Sequence, residues 1–179
     1  MSHPYCAYVS GIVDVKDVDK IYHDLHYGVR IEDDNELFCR LVMEMNQAGL
    51  SWHTILVKEK NFRKAYHNFD IKKVAAYGEK DFDRLMHDEG VIRNRLKIHA
   101  AIYNAQKIRE IQKEYGSFRK WLDLTAKELG QDKNFWLKEF KKNFKFVGGE
   151  IVGEFLMSIN MLPGSHGEVC GRCRIRSKE

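Results

Sequence analysis

Apolar residues recur at helical spacing along most of this chain, and this periodicity limits the fold more than any other feature. Between Asp34 and Ala48 they return every three or four positions, which places them on one face of a helix. No stretch combines sustained apolar–polar alternation with hairpin turns. The pattern predicts an all-α fold over residues 1–179, either one domain or two helical lobes sharing a core. The other predicted helices carry segments 52–62, 70–75, 82–86, 98–111, 117–122 and 151–159.

Composition restricts the class of protein without identifying it. Lys and Arg total 30 against 26 Asp and Glu, a net charge of +4, which is compatible with a nucleic-acid partner but does not require one. With 44% hydrophobic residues and only 2 prolines, the chain is neither disordered nor collagen-like. No apolar run approaches the roughly 20 residues that cross a bilayer, and the first residues do not resemble a secretory signal. We expect a cytoplasmic protein with no membrane partner, and we expect a monomer.

One carboxylate falls on the face that a predicted helix buries. Leu37, Leu41 and Glu44 lie at i, i+4 and i+7 and share one stripe. Burial of an unpaired carboxylate is costly, so Glu44 needs donors, a cation or a proton. The adjoining segment 46–52 combines amides, a glycine turn, a leucine and a tryptophan. This assortment favours the mouth of a pocket, while a structural carboxylate paired with an arginine is the alternative.

Two cysteines and two histidines near the chain ends are candidate metal ligands. His166 and Cys170 are four residues apart, and Cys6 and His23 lie near the N-terminus. Two thiolates and two imidazoles complete a closed tetrahedral shell, which is the structural type of zinc site. A zinc ion held in this way would join the N- and C-terminal segments.

Other assignments of the ligands are open at this point. His26 or Cys173 could replace one member of the shell, and Cys170 with Cys173 has the spacing of a redox pair. Because no secretory signal precedes the cysteines, we expect free thiols or metal ligands and not disulfides.

Segment 89–97 lies between two predicted helices and is basic. Gly90 can end the first helix, and the backbone N–H groups that begin the second favour a phosphate. Arg93, Arg95 and Lys97 add positive charge. The pattern predicts a helix-hairpin-helix that grips a DNA backbone without reading its sequence. Two ordinary surface helices with basic residues would have a similar pattern.

Together these segments resemble the 3-methyladenine DNA glycosylase I family. The resemblance runs from Cys6 to Cys170 and is carried by several motifs in order. They are Tyr22-His23-Asp24, Tyr27-Gly28-Val29, Glu44 followed by Gln47-Ala48-Gly49-Leu50-Ser51-Trp52, the hairpin from Gly90 to Lys97, Phe144-Lys145-Phe146-Val147-Gly148, and the spacing of His166 and Cys170.

The resemblance implies a monofunctional enzyme that flips 3-methyladenine out of duplex DNA and hydrolyses its N-glycosidic bond, which starts base excision repair. Its partner would be double-stranded DNA containing alkylated adenine, and its cofactor a structural Zn²⁺. By position, the resemblance assigns Cys6, His23, His166 and Cys170 to the zinc, Glu44 to the base edge, Tyr22 and Trp52 to the base faces, Tyr8 and Tyr27 to the pocket, Gly49 and Leu50 to the gap in the DNA, and Gly90, Arg93 and Arg95 to the DNA backbone.

The chain departs from the family pattern at several pocket positions. Tyr27 stands where tryptophan is usual, Tyr8 where tryptophan or phenylalanine is usual, and Asp19 where a tyrosine is usual. These changes bear on pocket shape and lesion range. A rival function from another class is a zinc-stapled module that binds damaged or bent DNA without cutting it. A zinc hydrolase is disfavoured because four protein ligands leave no open position for water.

Overall fold

The computed structural model describes residues 4–167 and Cys170, and these residues form helices and connecting turns with no strand among them. The all-α prediction is therefore confirmed for this part of the chain. The helices are α1 (Pro4–Ser10), α2 (Val18–Leu25), α3 (Asp34–Gln47), α4 (Trp52–Ala65), α5 (Ile71–Ala75), α6 (Glu79–His87), α7 (Arg95–Tyr115), α8 (Phe118–Leu129), α9 (Lys133–Asn143) and α10 (Gly149–Ser158), with a 3₁₀ turn at His67–Phe69.

Helix α3 lies in the middle of the core because its apolar residues face several helices at once. It packs against α4, α7, α8 and α10. Asp33 begins the helix by accepting a hydrogen bond from the Glu36 N–H at 2.9 Å. After the helix ends, Gly49 adopts a φ of +83°, which favours glycine, and the chain turns into α4. Its predicted core residues are all inaccessible to solvent: Leu37, Phe38, Leu41, Val42 and Met45.

Aromatic side chains fill the space between α8, α9 and α10. Trp136, at the start of this group, is fully buried, and its indole N–H donates to the Gly130 carbonyl at 3.0 Å. Segment 138–145 is rich in lysine and phenylalanine, as in a helix with one solvated face. The buried rings contact one another within and between helices: Phe118, Trp121, Trp136, Phe140, Phe144 and Phe155.

Asp34 ties the beginning of α3 to the beginning of α8. Its carboxylate accepts from the backbone N–H of Phe118 at 2.8 Å and of Arg119 at 2.9 Å, and from the Gln112 side chain at 2.7 Å. These two N–H groups belong to the first turn of α8 and have no partner within their own helix. Ser117 caps the same helix by accepting from the Lys120 N–H. Asp34 therefore fixes the position of α8 relative to the core helix.

Helices α1 and α2 were not anticipated from the periodicity. They have 7 and 8 residues, which is too short for a repeating apolar pattern to stand out. No helix within the described residues is long and apolar enough to cross a membrane.

Replacement of Asp34 by alanine should lower the free energy of unfolding by about 1–2 kcal/mol, because the N–H groups at the start of α8 lose their acceptor. Urea denaturation followed by circular dichroism measures this loss. Asp34→Asn retains one acceptor oxygen and should lose less. An Asp34→Ala variant as stable as the wild type would contradict the proposed link between α3 and α8.

Candidate active site and metal centre

Tyr22 stands at the centre of an aromatic site formed by three separate segments. Its ring lies 5.0 Å from Trp52 and 5.7 Å from Tyr27, measured between ring centroids. Tyr22 comes from α2, and Trp52 is the first residue of α4, where Ser51 caps the helix. The Trp52 indole nitrogen is buried and has no hydrogen-bond partner among the described residues. Helix α2, the turn after it and the beginning of α4 thus bring these three rings together.

Glu44 is buried beside this aromatic site, as predicted from its place on the apolar stripe. It is 5% exposed, and within the described residues its carboxylate forms no hydrogen bond and no ion pair. Burial raises the pKa of Glu44 to about 8, Arg40 opposes this rise, and Glu154 adds to it. A carboxyl group in this environment gains or loses its proton near neutral pH, in contrast to an ordinary glutamate.

The hydroxyl groups of the two tyrosines are held by charged neighbours. The Tyr22 oxygen accepts a hydrogen bond from Arg40 Nη1 at 2.7 Å, and the Tyr27 hydroxyl donates to Glu154 at 3.1 Å. Burial is the largest cause that raises the pKa of both phenols. Both tyrosines are therefore neutral hydrogen-bonding groups at physiological pH.

Tyr5, which no motif indicated, extends the aromatic site. Its ring lies 5.7 Å from Tyr27 and 6.3 Å from Tyr22, and its hydroxyl donates to the Asp19 carboxylate at 3.2 Å. Asp19 is fully buried and also bonds to His53. The departure of Asp19 from the family pattern was visible in the sequence, but its link to Tyr5 depends on α1, a helix too short to predict.

Tyr8 is placed differently from the other predicted pocket residues. It is 55% exposed and stacks on Tyr5 with 6.3 Å between centroids. Tyr8 contacts the aromatic site only through Tyr5 in the ring contacts of the described residues. Its role at a pocket stays a prediction.

The four predicted metal ligands come together. Their ligand atoms all lie within 4.8 Å of one another. His23 Nε2 is 3.3 Å from Cys6 Sγ and 3.6 Å from Cys170 Sγ, and His166 Nδ1 is 3.7 Å and 3.6 Å from the same two sulfurs. Tetrahedral zinc with ordinary bond lengths separates sulfur and nitrogen ligands by about 3.5 Å. The alternative ligand Cys173, and with it the redox pair, lies outside the described residues.

The second nitrogen of each imidazole is held by an oxygen, as metal-binding histidines require. His23 Nδ1 lies 2.8 Å from the Asp24 carboxylate, and His166 Nε2 lies 3.0 Å from the Tyr27 carbonyl.

Gly28 has a φ of +67°, and a Cβ there would lie 2.4 Å from Ser165 Oγ. The C-terminal segment therefore approaches the backbone after α2 so closely that a side chain larger than hydrogen would displace it.

The predicted hairpin occupies residues 88–94, between α6 and α7. Gly90 packs tightly, since a Cβ at this position would lie 3.0 Å from the Cβ of Asn61. Asn94 caps α7 by accepting from the Lys97 N–H at 3.1 Å. Arg93 and Arg95 are exposed on this hairpin. Two cationic groups thus stand in solvent next to the beginning of a 21-residue helix.

Lys97, by contrast, does not contribute to the surface charge predicted for the hairpin. It is buried, and its ammonium group donates to the carbonyls of Asn46 at 2.8 Å and Ala48 at 2.7 Å. These carbonyls lie at the end of α3, where a helix favours positive charge. Gly49 and Leu50 follow directly and are exposed. Lys97 therefore connects the helix after the hairpin to the exposed turn beside the aromatic site.

Comparisons with known proteins agree on one family. The family model described as Methyladenine glycosylase matches residues 13–139. DNA-3-methyladenine glycosylase 1 of Escherichia coli (strain K12) is 49% identical over 85 residues, which cover 48% of this chain and 46% of the relative. DNA-3-methyladenine glycosylase of Haemophilus influenzae is 40% identical over 92 residues, 51% of this chain and 50% of the relative. The chain thus spans about half the length of the curated relatives it matches.

Solved structures share the helical architecture over nearly the whole chain. The structure of 3-methyladenine DNA glycosylase I from Staphylococcus aureus has a TM-score of 0.81 and 30% identity, and the match covers 96% of this chain and 97% of that one. A variant of 3-methyladenine DNA glycosylase I in complex with 3-methyladenine also has a TM-score of 0.81 and 30% identity, with coverage of 94% and 96%.

The raised pKa of Glu44 predicts how stability depends on pH. As pH rises from 4.5, the ordinary pKa of a glutamate, to about 8, the unfolded state loses its Glu44 proton before the native state does. Stability is therefore lost over this interval, and the full penalty is present above pH 8. Glu44→Gln removes the penalty, so its thermal midpoint should match the wild type near pH 5 and exceed it at pH 9 by at least about 2–4 °C, or roughly 1 kcal/mol.

The control is Glu128→Gln, which changes an exposed glutamate and should follow the wild type at every pH. Calorimetry of the three proteins between pH 5 and 9 makes the comparison. If Glu44→Gln and the wild type depend identically on pH, Glu44 is not buried as described.

Proposed function

Because the chain belongs to the methyladenine glycosylase family, we propose that it is a monofunctional DNA glycosylase that flips 3-methyladenine out of duplex DNA and hydrolyses its N-glycosidic bond. The observation that carries this proposal is the buried Glu44 carboxylate, which acts electrostatically on Tyr22 and Tyr27 of the aromatic site that also includes Trp52. An acid without an ion pair among the described residues, next to aromatic rings, suits a cationic aromatic ligand better than it suits a purely structural role.

The chemistry of the lesion explains why such a site would suffice. Methylation at N3 gives adenine a positive charge and makes it a good leaving group. Water forms a bond to the sugar C1′ while the bond to the base breaks, the base leaves neutral with the electron pair, and the water releases a proton. The ionised Glu44 carboxylate accepts hydrogen bonds from the amino edge of the base and favours its positive charge. We therefore assign Glu44 to base recognition and electrostatic support.

The aromatic rings would select the flipped base by its faces. Stacking between a base and an aromatic ring contributes about 1–3 kcal/mol, and a cationic base adds cation–π attraction. Extrusion from the duplex costs a few kcal/mol, and less for a damaged base. Tyr22 and Trp52 are assigned to the base faces, with Tyr27 completing the pocket beside Glu154.

The exposed hairpin and the exposed turn after α3 are assigned to DNA. Gly90 allows the tight hairpin, and Arg93 and Arg95 present positive charge to the phosphates, as in a helix-hairpin-helix. Gly49 and Leu50 would enter the gap that the extruded base leaves. Lys97 holds this turn against the helix that follows the hairpin, so backbone binding and insertion would act as one unit.

A structural zinc ion is proposed for the cluster of Cys6, His23, His166 and Cys170. The donor set of two thiolates and two imidazoles, the sulfur–nitrogen separations and the oxygen partners of both histidines support this ion. When bound, zinc would hold α1, α2 and the C-terminal segment together. Because Tyr22 and His23 are neighbours in sequence, the metal centre would also fix the aromatic site.

Release of the free base tests the activity directly. Wild-type protein incubated with duplex DNA containing 3-methyladenine should release the base, identified by chromatography with mass detection, and leave an abasic site. Glu44→Gln should lose at least about tenfold in kcat/KM, because a neutral amide cannot favour the cationic base, while Glu128→Gln should act as the wild type. Binding of damaged DNA without release by the wild type would identify a non-catalytic binding module.

Loss of a ligand should remove zinc and stability together. Cys6→Ser or Cys170→Ser should lower the zinc content, measured by atomic absorption, and the thermal midpoint, because binding free energy of the metal is folding free energy. The matched control is Cys39→Ser, since Cys39 is a buried cysteine outside the cluster and its variant should retain the metal. A ligand variant with full zinc content, or with unchanged stability after losing it, would contradict the proposed site.

A further inference from the structure

We propose that Arg40 is a positioning residue of the base site, which orients the Tyr22 hydroxyl and supplies the positive charge that lets the neighbouring Glu44 carboxylate ionise. This inference rests on the proposed glycosylase function and adds a residue that no motif of the sequence indicated. Arg40 and Glu44 belong to the same helix, four residues apart, and therefore lie on the same face.

The contacts of Arg40 point towards the base site. Its Nη1 donates to the Tyr22 hydroxyl at 2.7 Å, and its guanidinium carbon lies 4.7 Å from the centre of the Tyr22 ring. Because the Tyr22 oxygen accepts from Arg40, its own proton is directed away from Arg40 and is available to an acceptor elsewhere. Arg40 thus determines which way the central phenol of the aromatic site can donate.

Arg40 makes this contact although acidic residues surround it. A cavity of about 320 Å³ lies between α2, α3, α4 and segment 26–33. Tyr22 and Arg40 line it, whereas Glu44 does not. The two other arginines that line this cavity form ion pairs, Arg30 with Glu32 and Asp123, and Arg63 with Glu36 and Glu59. The carboxylates that line the cavity are Glu32, Asp33, Glu36 and Glu59.

In the described residues, by contrast, Arg40 has no ion pair within 4 Å. A carboxylate cancels most of the electric field of an arginine paired with it, so Arg40 differs from Arg30 and Arg63 in how strongly it can act on another group. The charge of Arg40 remains available to Glu44 on the next turn of α3, and the charge of Arg63 does not.

The charged and titratable groups around Glu44 show which of them favour its ionisation and which oppose it. On its own helix Arg40 stabilises the ionised carboxylate. From α10, Glu154 opposes ionisation. Tyr22 on α2 and Tyr27 just after this helix are neutral phenols, because burial raises the pKa of each. Arg40 is therefore the cation among these groups that counteracts burial. Without it, the carboxylate would keep its proton to a higher pH.

Three variants separate the effect of the Arg40 charge from the effect of its side-chain volume and from the effect of another arginine in the same cavity. Arg40→Met keeps a long side chain and removes the charge, and Arg40→Lys keeps the charge. Arg63→Met removes the neighbouring arginine of the same cavity and serves as the control. For each protein, the pKa of Glu44 is measured by carboxyl-carbon NMR, and kcat/KM for base release is measured between pH 6 and 9.5.

We expect Arg40→Met to raise the Glu44 pKa, and the acidic limb of the kcat/KM profile with it, by about half to one unit. Arg40→Lys should return both towards the wild type, and Arg63→Met should leave both in place. At pH 9.5, where the carboxylate is ionised in all proteins, Arg40→Met should retain an elevated KM because the Tyr22 hydroxyl is no longer oriented.

An unchanged Glu44 pKa in Arg40→Met, or an equal increase in Arg63→Met, would overturn the inference. If Arg40→Met does not fold, Arg40→Gln replaces it with the same expectation for the Glu44 pKa and the acidic limb, because the amide carries no charge, whereas its KM at pH 9.5 should stay near the wild type because the amide can still donate to Tyr22. The NMR titration does not depend on activity. Absence of base release by the wild type would therefore refute the proposed function, and the titration would still decide the role of Arg40.

Discussion

The burial of the Glu44 carboxylate carries a free-energy cost that the groups around it, or a ligand, must compensate. Helix α3 packs on several sides, so its apolar residues draw the whole helix into the core and Glu44 with them. An acid in this position costs free energy whenever it is charged, and its pKa rises to about 8 as a result. A fold tolerates such a residue where a ligand compensates the cost. A cationic base would provide that compensation only when it is bound, which makes the cost of burial a source of selectivity.

Both ends of α3 are anchored, and the anchors link its position to the surface that we propose binds DNA. Asp34 at one end accepts from the first turn of α8, and Lys97 binds the carbonyls at the other end. The exposed turn at Gly49 and the hairpin before α7 therefore have a fixed separation. The cluster of Cys6, His23, His166 and Cys170 fixes the other side of the aromatic site, because Tyr22 precedes His23 and the Tyr27 carbonyl accepts a hydrogen bond from His166 Nε2.

The sequence was sufficient to predict the long helices, the burial of Glu44 and the grouping of the four metal ligands. Periodicity predicted α3 because five apolar residues share its face, and the family resemblance implied the ligand set, which the residues alone left open. Periodicity could not predict α1 and α2, since 7 or 8 residues hold too few repeats. The placement of Tyr5 and the exposure of Tyr8 depend on α1.

Side-chain partners across helices were also beyond the sequence. Lys97 has the same spacing as the exposed Arg93 and Arg95, yet it is buried because the end of α3 lies over it. Arg40 lies on the same face of α3 as Glu44, but its hydrogen bond to the Tyr22 hydroxyl depends on where α2 lies, which no motif indicated. Local pattern determines which face of a helix is buried, while the neighbours of that face follow from packing.

Titration of the Glu44 carboxyl group in the wild-type protein tests the central claim most directly. Carboxyl-carbon NMR resolves this group once the spectrum of Glu44→Gln identifies its signal. We predict a midpoint near pH 8, well above the ordinary range for glutamate. A midpoint for Glu44 within that ordinary range would mean that water reaches the carboxylate freely, and the site would then lack the buried acid on which the proposed recognition of a cationic base depends.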